Sequence, residues 1–289
     1  MNAFNADTAM KTDTIETLGH GSLIQHGKFN DRVYLMHFDP ADTDSLLAEI
    51  GQRALTYGYS KLFCKVPKRL APSFLADGYI LEGYIPRFYQ GKEDAFFVSK
   101  FLTEARKVNT HPRQWEAFQS LLSETTHSQK QRPAVSADYS VRPLNKQDIP
   151  AMIAIYADIF ASYPFPIHDP AYLAQTMDEN VHYFGAFHGD TLAAVSSSEV
   201  NVAAQNAEMT DFATHKSHTG HRLAYLLLNA MEETMKQQGI RTLYTIARLN
   251  SIPMNKTFLR CGYAYTGTLR NNTNIAGEIE SMNLYYKAL

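Results

Sequence analysis

The sequence predicts an α/β protein of the α+β type, with a mixed, mostly antiparallel central sheet flanked by helices. Three observations lead to this fold class. Short segments that alternate apolar and polar residues, as strands do, recur along the chain. Two stretches, one containing Leu46 and one starting at Leu223, carry apolar residues at helical spacing. The two halves of the chain also repeat one order of landmarks, which predicts a smaller half domain of related fold before the main domain.

The first half of the chain predicts a domain at residues 14–124, after a disordered tail at residues 1–13. Residues 125–137, which include Thr, Ser, Gln, Lys and Pro, predict a linker. The expected elements of this domain are a hairpin of strands beginning at Ser22 and Arg32, a helix capped by Asp42 or Asp44 and closed by Gly58, a strand at 61–66, a brief helix to Gly78, two strands ending near Phe101, and a helix at 112–124.

Residues 138–289 predict a second, larger domain. Its expected elements are a strand from Tyr139, a helix capped by Asp148, a helix after Asp169, strands between His182 and Thr214, an amphipathic helix at 222–238 ended by Gly239, a strand at 242–247, a short helix at 254–260 and two closing strands. The apolar stripe of the amphipathic helix indicates a core face rather than a cofactor surface.

The internal repeat is carried by landmarks in register. Phe74–Tyr79 matches Phe258–Tyr263, and the helices closed by Gly58 and Gly239 are each followed by a short apolar strand. The first copy lacks the acidic strand and loop that precede the second helix. We therefore interpret it as a non-catalytic half that covers a sheet edge or walls a substrate pocket.

Composition and charge exclude several classes of function. A net charge of -2 gives no support to nucleic acid or an anionic membrane as a partner. No apolar run is long enough to span a bilayer, and the polar N-terminal segment has no signal-peptide core. Cys64 and Cys261 form no disulfide framework or zinc motif, so we expect a cytoplasmic protein without a metal. We expect the protein to be a monomer or a homodimer.

The segment at residues 206–263 combines the features that acyl transfer to an amine requires. Glu208 lies on a strand and can accept a proton from an ammonium group, which is not nucleophilic while it is protonated. A loop then leads into a helix, whose N-terminal N–H groups can hold a pyrophosphate. A second strand and a short helix ending in Gly262-Tyr263 follow.

This order resembles the GCN5-related N-acetyltransferase (GNAT) superfamily, and the resemblance implies the GNAT fold and acetyl-CoA as cosubstrate. Thr219–Ala224 falls on the superfamily's (Gln/Arg)-x-x-Gly-x-(Gly/Ala) loop, where Ala224 fits and both Thr219 and Arg222 depart from the pattern. A side chain at Arg222 could crowd the phosphate or pair with it. The cofactor-binding residues implied are Phe212, Ala213, Thr214, Thr219, Gly220, His221, Arg222, Leu223, Ala224, Asn255 and Phe258.

The resemblance also assigns catalytic roles. Glu208 occupies the position of the catalytic glutamate of histone-type members, and the N–H near Phe212 would face the thioester. Asp211, three residues on, is expected on the opposite sheet face as a second base, an ammonium ligand or a solvated group. Phe258 stands where the superfamily often has a tyrosine acid, so Tyr263, another tyrosine or water protonates the thiolate, or the thiolate leaves unassisted.

Longer strings resemble a narrower family, the β-lysine N-acetyltransferases. They include Gly19–Gly27, Asn30–Met36, Ala207–Thr214, Tyr244–Arg248, Leu269–Ile275 and Ile279–Asn283. The resemblance implies acetylation of the terminal amine of β-lysine to give a compatible solute. Arg248 is the candidate for the substrate carboxylate. Candidates for an ammonium group are Asp211, Asn271, Asn272, Asn274 and Glu280, with local hydrogen bonding in an Asn-rich turn as the alternative role.

Two other readings stay open at this point. The departures at Arg222 and Phe258 are compatible with a catalytically impaired module that binds coenzyme A or a partner. An enzyme of the same superfamily could instead acetylate another small amine or a protein lysine. A protein substrate requires an open acidic groove, which a covering N-terminal half disfavours.

Overall fold

A computed structural model describes residues 13–127 and 137–289. Within these ranges thirteen strands form one sheet and eight α-helices flank it. The strands are β1 (Thr14–Leu18), β2 (Ser22–Gly27), β3 (Arg32–His37), β4 (Lys61–Pro67), β5 (Ile80–Tyr89), β6 (Glu93–Phe101), β7 (Tyr139–Pro143), β8 (Val181–His188), β9 (Thr191–Asn201), β10 (Asn206–Thr214), β11 (Thr242–Arg248), β12 (Ala264–Ile275) and β13 (Glu278–Ala288).

The helices are α1 (Leu46–Tyr57), α2 (Ala71–Ala76), α3 (Glu104–Lys107), α4 (Pro112–His127), α5 (Ile149–Ile159), α6 (Pro170–Glu179), α7 (Leu223–Gln237) and α8 (Ile252–Arg260). Gly58 closes α1 in the left-handed conformation, as predicted. The predicted aspartate caps of α1 are wrong, since its N-cap is Ser45. Asp42 instead accepts hydrogen bonds from the N–H groups of His20 and Ser22. None of these helices is long and apolar enough to cross a membrane.

The strand order is β1-β2-β3-β4-β6-β5-β12-β13-β11-β10-β9-β8-β7. Strands β5 and β12 pair with each other where the two halves of the chain meet, and we call this pairing the seam. Outward from the seam, the strand pairs of each half follow the same order: an antiparallel hairpin, then an antiparallel, a parallel and an antiparallel pair. The structure therefore confirms a mixed, mostly antiparallel sheet with the GNAT fold in the second half and a related half before it.

The two halves join at two glycines. Gly83 of β5 and Gly267 of β12 are the paired residues of the seam, and each lies just after a register shift in its own hairpin. A Cβ at Gly267, whose φ is +156°, would overlap the carbonyl oxygen of Glu82 and lie 2.6 Å from Gly83 Cα. The backbones can approach this closely because neither residue has a side chain.

A buried ion pair adjoins the seam. Lys61 Nζ donates to Glu82 Oε2 at 2.8 Å and to the carbonyl oxygen of Arg270, in the other half, at 2.7 Å. Glu82 also accepts from Ser99 and from the N–H of Arg270. The Lys61 and Glu82 side chains are both inaccessible to solvent. Such a pair is costly to leave without a partner, so its hydrogen bonds tie the halves in one relative position.

The apolar core has three parts. One lies under α1 and α2 in the first half, and one lies under α7 and α8 in the second. The third contains residues of both halves, including Phe63 and Phe97 from the first and Tyr244 and Leu284 from the second. Five strand steps of about 4.8 Å separate β4 from β11 in the sheet. The sheet must therefore curl to bring these residues together, as register shifts in β5 and β12 allow.

Helix α4 packs with the second half, which differs from the predicted domain division. Phe118 and Leu121 are buried in the α7–α8 core, and the Phe118 ring lies 5.1 Å from the Tyr265 ring. The helix was predicted, but the sequence gives no sign of the surface that it covers. The helix also extends to His127, so the predicted linker begins later than residue 125. The rest of that linker, at 128–136, and residues 1–12 of the predicted tail lie outside the described residues.

The seam makes a testable prediction. We expect Gly267→Ala to lower the free energy of unfolding by about 3 kcal/mol, because the added Cβ overlaps the opposite backbone. Gly51→Ala is the matched control: it lies inside α1 with open space around the added methyl, so it should raise stability by about 0.5–1 kcal/mol. Urea unfolding measures both changes, and an unaffected Gly267→Ala protein would show that the seam does not constrain the fold.

Candidate active site

A cavity of about 300 Å³ lies where the curled sheet brings the two halves together. It is lined by residues of β3 and β4 from the first half and of β9, β10, β11 and β12 from the second, together with residues after α5. The charged and aromatic groups among them are Arg32, Tyr34, Phe63, Lys65, Phe160, Tyr163, Phe165, Glu199, Glu208, Asp211, Phe212, Tyr244, Arg248 and Phe258. The cavity thus combines a wall from each half of the chain.

Strands β10 and β11 diverge at the cavity. They are paired in parallel only from Asn206 with Thr242 to Glu208 with Tyr244, although both strands continue beyond this point. Beyond Glu208 the backbone of β10 is therefore without a β11 partner on one side. A parallel pair that splays open in this way leaves a cleft between its strands, and Glu208 lies at the start of that cleft.

A bulge in β10 changes the direction of its side chains. The register with β9 shifts between Thr210 and Ala213, and Asp211 has a φ of +56°. Strict alternation predicts Glu208 and Asp211 on opposite faces, and this prediction is wrong because the bulge resets the alternation. Both carboxylates line the same cavity. Phe212, within the bulge, has no register partner in β9.

Glu208 lies deep in the protein and opens onto the cavity. Loss of solvent raises the pKa of its carboxyl, whereas the nearby Lys65 cation, the Tyr244 hydroxyl and the Ile246 N–H lower it again. Glu199, directly opposite Glu208 on β9, also has a raised pKa, through burial and then through repulsion by Glu208. The two carboxylates share one environment, so protonation of one depends on the charge of the other.

Asp211 is held by hydroxyl groups. Its carboxylate accepts a hydrogen bond from Tyr163 and one of 2.6 Å from Ser197. Burial raises the pKa of Asp211, and these hydrogen bonds oppose the shift. With its oxygens occupied by donors, Asp211 contributes negative charge to the cavity but is less available than Glu208 as a proton acceptor.

The loop before α7 has the features of an anion site. The first N–H groups of this 15-residue helix have no acceptor within the helix, and open space surrounds Gly220. Arg222 is the N-cap residue and adopts the left-handed conformation, with φ +60°. This conformation explains why the pattern has a glycine at this position: glycine adopts it freely, whereas the arginine adopts it at a cost. The loop thus fits a pyrophosphate at the residues expected from the sequence, 219–224.

Several histidines lie beside this loop. His221 packs 5.4 Å from the ring of Tyr139, and His218 Nδ1 lies 2.9 Å from the Tyr139 hydroxyl. Burial lowers the pKa of His218, as do the neighbouring histidines at positions 188, 215 and 221. Across residues 13–127 and 137–289, no three His, Cys, Asp or Glu side chains are arranged to hold a metal ion.

Two expected site residues on and after α8 have other roles. Asn255 is fully buried: its amide donates to the carbonyl groups of Arg248 and Ser251 and accepts from Tyr285, so it joins α8 to β11 and β13 and does not face the cavity. Tyr263 also lies outside the cavity lining and packs against Phe258. The proposed acid role of Tyr263 is therefore wrong. Phe258 does line the cavity, edge-on to Phe212.

The expected substrate-binding residues separate into two groups. Arg248 lines the cavity, but its guanidinium binds Glu280 through Nε at 3.1 Å and Nη2 at 2.5 Å. The expectation that Arg248 holds a substrate carboxylate is wrong, because Glu280, which is itself buried, neutralises it. Glu280 is likewise engaged and does not line the cavity.

The asparagines of β12 also divide. The Asn271 amide donates to the carbonyl groups of Arg106 and Val108, and the Asn274 amide donates to that of Phe29, so both join the halves rather than face a ligand. Asn272 lines the cavity, and its Oδ1 is buried without a hydrogen-bond partner among the described residues. The alternative of local hydrogen bonding in the turn is therefore wrong for Asn271 and Asn274, whose bonds reach the first half of the chain. The local bond is made by Asn272, whose amide donates to the Thr273 hydroxyl at 3.4 Å.

Sequence reasoning missed Arg32, Tyr34, Lys65 and Glu199. Glu199 could be found only from the β9–β10 register, and Arg32 and Lys65 only from the curl of the sheet. One signal was available for Tyr34. The repeat aligns the pair Tyr34–Phe63 with the pair Glu208–Tyr244, so Tyr34 takes the place of the carboxylate in the first half.

Comparisons with known proteins show the family to which the chain belongs. Residues 149–263 match the family model described as Acetyltransferase (GNAT) family. Over 92% of its length the chain is 36% identical to beta-lysine N(6)-acetyltransferase of Methanococcus maripaludis, with 96% of that protein covered. It is 28% identical to the enzyme of the same name from Methanosarcina mazei, over 73% of this chain and 85% of that one.

A solved structure of similar fold is the ribosomal-protein-S18-alanine N-acetyltransferase of Escherichia coli. It is 17% identical in sequence and aligns with a TM-score of 0.46, over 52% of this chain and 93% of that chain.

Fold, site and family model together define an acetyltransferase of the GNAT superfamily, an enzyme that transfers an acetyl group to an amine. Members of this superfamily use acetyl-CoA as the acetyl donor. Within the superfamily, the chain belongs to the β-lysine N-acetyltransferase family.

The strain at Arg222 can be measured with a matched pair of variants. Arg222→Gly and Arg222→Ala both remove the guanidinium, and they differ only in the Cβ atom at a residue with φ +60°. We expect the glycine variant to be more stable than the alanine variant by about 1 kcal/mol, in urea unfolding, because left-handed backbone is costly for residues with a Cβ. Equal stabilities would show that the N-cap is not strained.

Proposed function

We propose that this enzyme transfers the acetyl group of acetyl-CoA to the terminal amine of β-lysine, with Glu208 as the general base, and so makes a compatible solute. The observation that carries the proposal is the position of Glu208 in the cleft where β10 leaves β11, within a cavity closed by both halves. The names of the two relatives from Methanococcus maripaludis and Methanosarcina mazei support β-lysine as the acceptor.

The first task of the site is to remove a proton from the ammonium group. An alkyl ammonium has a pKa near 10 and carries no free electron pair at neutral pH. The Glu208 carboxylate accepts this proton, and its raised pKa makes it a stronger base than an ordinary glutamate. The positive charge of Lys65 lowers the pKa of Glu208 and so limits the increase caused by burial, which keeps a useful fraction of Glu208 ionised.

Acetyl-CoA supplies the acetyl group as an activated thioester. The residues suited to hold its pyrophosphate are those of the α7 N-terminus, from Thr219 to Ala224. The N–H of Phe212 is our candidate donor to the carbonyl oxygen, because β10 has no β11 partner beyond Glu208 and Phe212 lines the cavity there. Phe258 cannot donate a proton, and a thiolate with a pKa near 8.5 can leave without an acid.

The first half serves as a wall of the substrate cavity in this proposal. Its own loop before α1 carries the Asp42 carboxylate, whose negative charge opposes a phosphate. The N–H groups of His20 and Ser22, at the β1–β2 turn, donate to this carboxylate and hold the pKa of Asp42 well below its usual range. Tyr34 replaces the base. The first half is therefore proposed to bind neither acetyl-CoA nor a second acceptor.

The base assignment predicts the outcome of Glu208→Gln. This variant removes the proton acceptor but keeps the shape of the side chain, so we expect kcat to fall by about 10²–10⁴-fold. Binding of acetyl-CoA, measured by calorimetry, should be unchanged. Asn180→Ala, at the end of α6, is a control outside the cavity lining and should keep full activity. Full activity of Glu208→Gln would overturn the base assignment.

The role of Lys65 predicts a shift in the pH profile. A general base works only when it is deprotonated, so kcat/KM should fall as the pH drops through the pKa of Glu208. Lys65→Met removes a cation that lowers this pKa. The acid limb of the profile should therefore move to higher pH, with activity retained at alkaline pH. A limb that stays in place, or moves to lower pH, would contradict coupling of Lys65 to Glu208.

A further inference from the structure

Arg32 is a buried cation in the cavity wall. It lies on β3 in the first half, is 3% exposed and lines the cavity together with Tyr34 and Met36. These three side chains alternate along the strand and so share one face. Burial lowers the pKa of Arg32 to about 10, so the guanidinium stays charged at neutral pH.

The guanidinium has unused donors. Its Nη1 donates to the carbonyl oxygen of Asn272 at 2.5 Å and to the Thr273 hydroxyl at 3.1 Å. Its Nε is buried and has no hydrogen-bond partner among the described residues. Over the same residues, no carboxylate forms an ion pair with Arg32, in contrast to Arg248, which Glu280 neutralises. A buried charge in this state is costly unless an anion completes the site.

Asn272 adds an acceptor beside this donor. Its backbone carbonyl is already bound to Arg32, and its side-chain Oδ1 is buried and unpaired at the cavity wall. An unpaired guanidinium donor and an unpaired amide oxygen next to it match the two groups of an amino-acid head: a carboxylate and an ammonium.

The carboxylates and Arg32 lie on opposite sides of the cavity. Glu199, Glu208 and Asp211 lie in the second half, where the acetyl transfer is proposed, and Arg32 lies across the cavity in the first half. Tyr34, two residues from Arg32, lines the same cavity as Glu208, and burial followed by the charge of Glu208 raises the pKa of its hydroxyl. Two residues of a strand span about 6.6 Å. The six bonds from the carboxyl carbon to the terminal nitrogen of β-lysine span about 7 Å.

We propose that Arg32 binds the carboxylate of the acceptor and that Asn272 Oδ1 binds the ammonium group next to that carboxylate, so that the first half selects diamino acids over plain diamines. This inference rests on the proposed function and deepens it. The second half supplies the base. The first half binds the carboxylate of the acceptor and so determines how far from that carboxylate the reacting amine must lie.

The test compares acceptors with and without the carboxylate. Acetyl transfer is measured with β-lysine, with β-lysinamide, and with 1,4-diaminopentane, which has the same carbon chain without the carboxyl group. For the unmodified enzyme we expect kcat/KM for β-lysine to exceed that for either of the others by about 100-fold. Equal values for all three would overturn the proposal without any variant being made.

Variants then test whether Arg32 causes the preference for acceptors that have a carboxylate. Arg32→Met should lower kcat/KM for β-lysine by about 100-fold, mainly through KM, and leave 1,4-diaminopentane nearly unchanged. Arg32→Lys should recover part of the preference. Arg106→Met is the matched control: Arg106 is a buried arginine of the same half with an unpaired Nε, but it donates to Asn30, pairs with Asp31 and does not line the cavity. It should keep the wild-type ratio between acceptors even if its melting temperature falls.

Failure of the inference and failure of the proposed function give different results. Equal losses for β-lysine and 1,4-diaminopentane in Arg32→Met and Arg32→Lys would assign Arg32 a purely structural role. A wild-type enzyme that acetylates none of these amines would instead contradict the proposed function. In that case thermal stabilisation by β-lysine alone still tests the head-group site. A shift in wild type that is lost in Arg32→Met supports it, and no shift in wild type overturns it.

Discussion

The contact between Gly83 and Gly267 is the constraint on which the rest of this structure depends. Because neither residue has a side chain, two hairpins of related fold can pair edge to edge and share one sheet. The buried Lys61–Glu82 pair and its bonds to Arg270 hold this pairing in one geometry. With the seam fixed, the curl of the sheet brings the β3–β4 face of one half against the β10–β11 face of the other. The cavity exists only as a result.

The charge state of Glu208 depends on both halves. Burial beside Glu199 and Asp211 favours the protonated form, and the Lys65 cation from the first half favours the ionised form. Grouped carboxylates that resist ionisation do not help a protein to fold, and groups of this kind are common at functional sites. A wall that only excluded water would raise the pKa of Glu208 with nothing from the first half to oppose the shift. This wall also supplies the opposing charge, so packing between the halves sets the strength of the base.

The repeat gives each half a different task. In the second half, the proposed sites for the acetyl donor and the base are formed by the β10 bulge, the open β10–β11 cleft and the α7 N-terminus. In the first half other groups occupy the equivalent positions: Tyr34 replaces the carboxylate, and the loop before α1 carries the Asp42 carboxylate, which is bound by N–H groups of the β1–β2 turn. What the first half offers instead is its strand face, with Arg32 and Lys65 turned into the cavity. The first half therefore lacks a site for the acetyl donor and contributes a wall of the substrate cavity instead.

Local patterns in the sequence determined the fold class, the repeat, most elements, Glu208 and the loop before α7, because periodicity, glycine turns and motif spacing depend on nearby residues. Tertiary structure decided which charged groups are available. Arg248 and Asn255 were reasonable candidates by position, but Glu280 and the carbonyl groups around α8 bind them. Asp211 faces the cavity only because of a bulge. Arg32 and Lys65 reach the site only because the sheet curls across a glycine seam, which brings them beside residues of the second half that are distant in sequence.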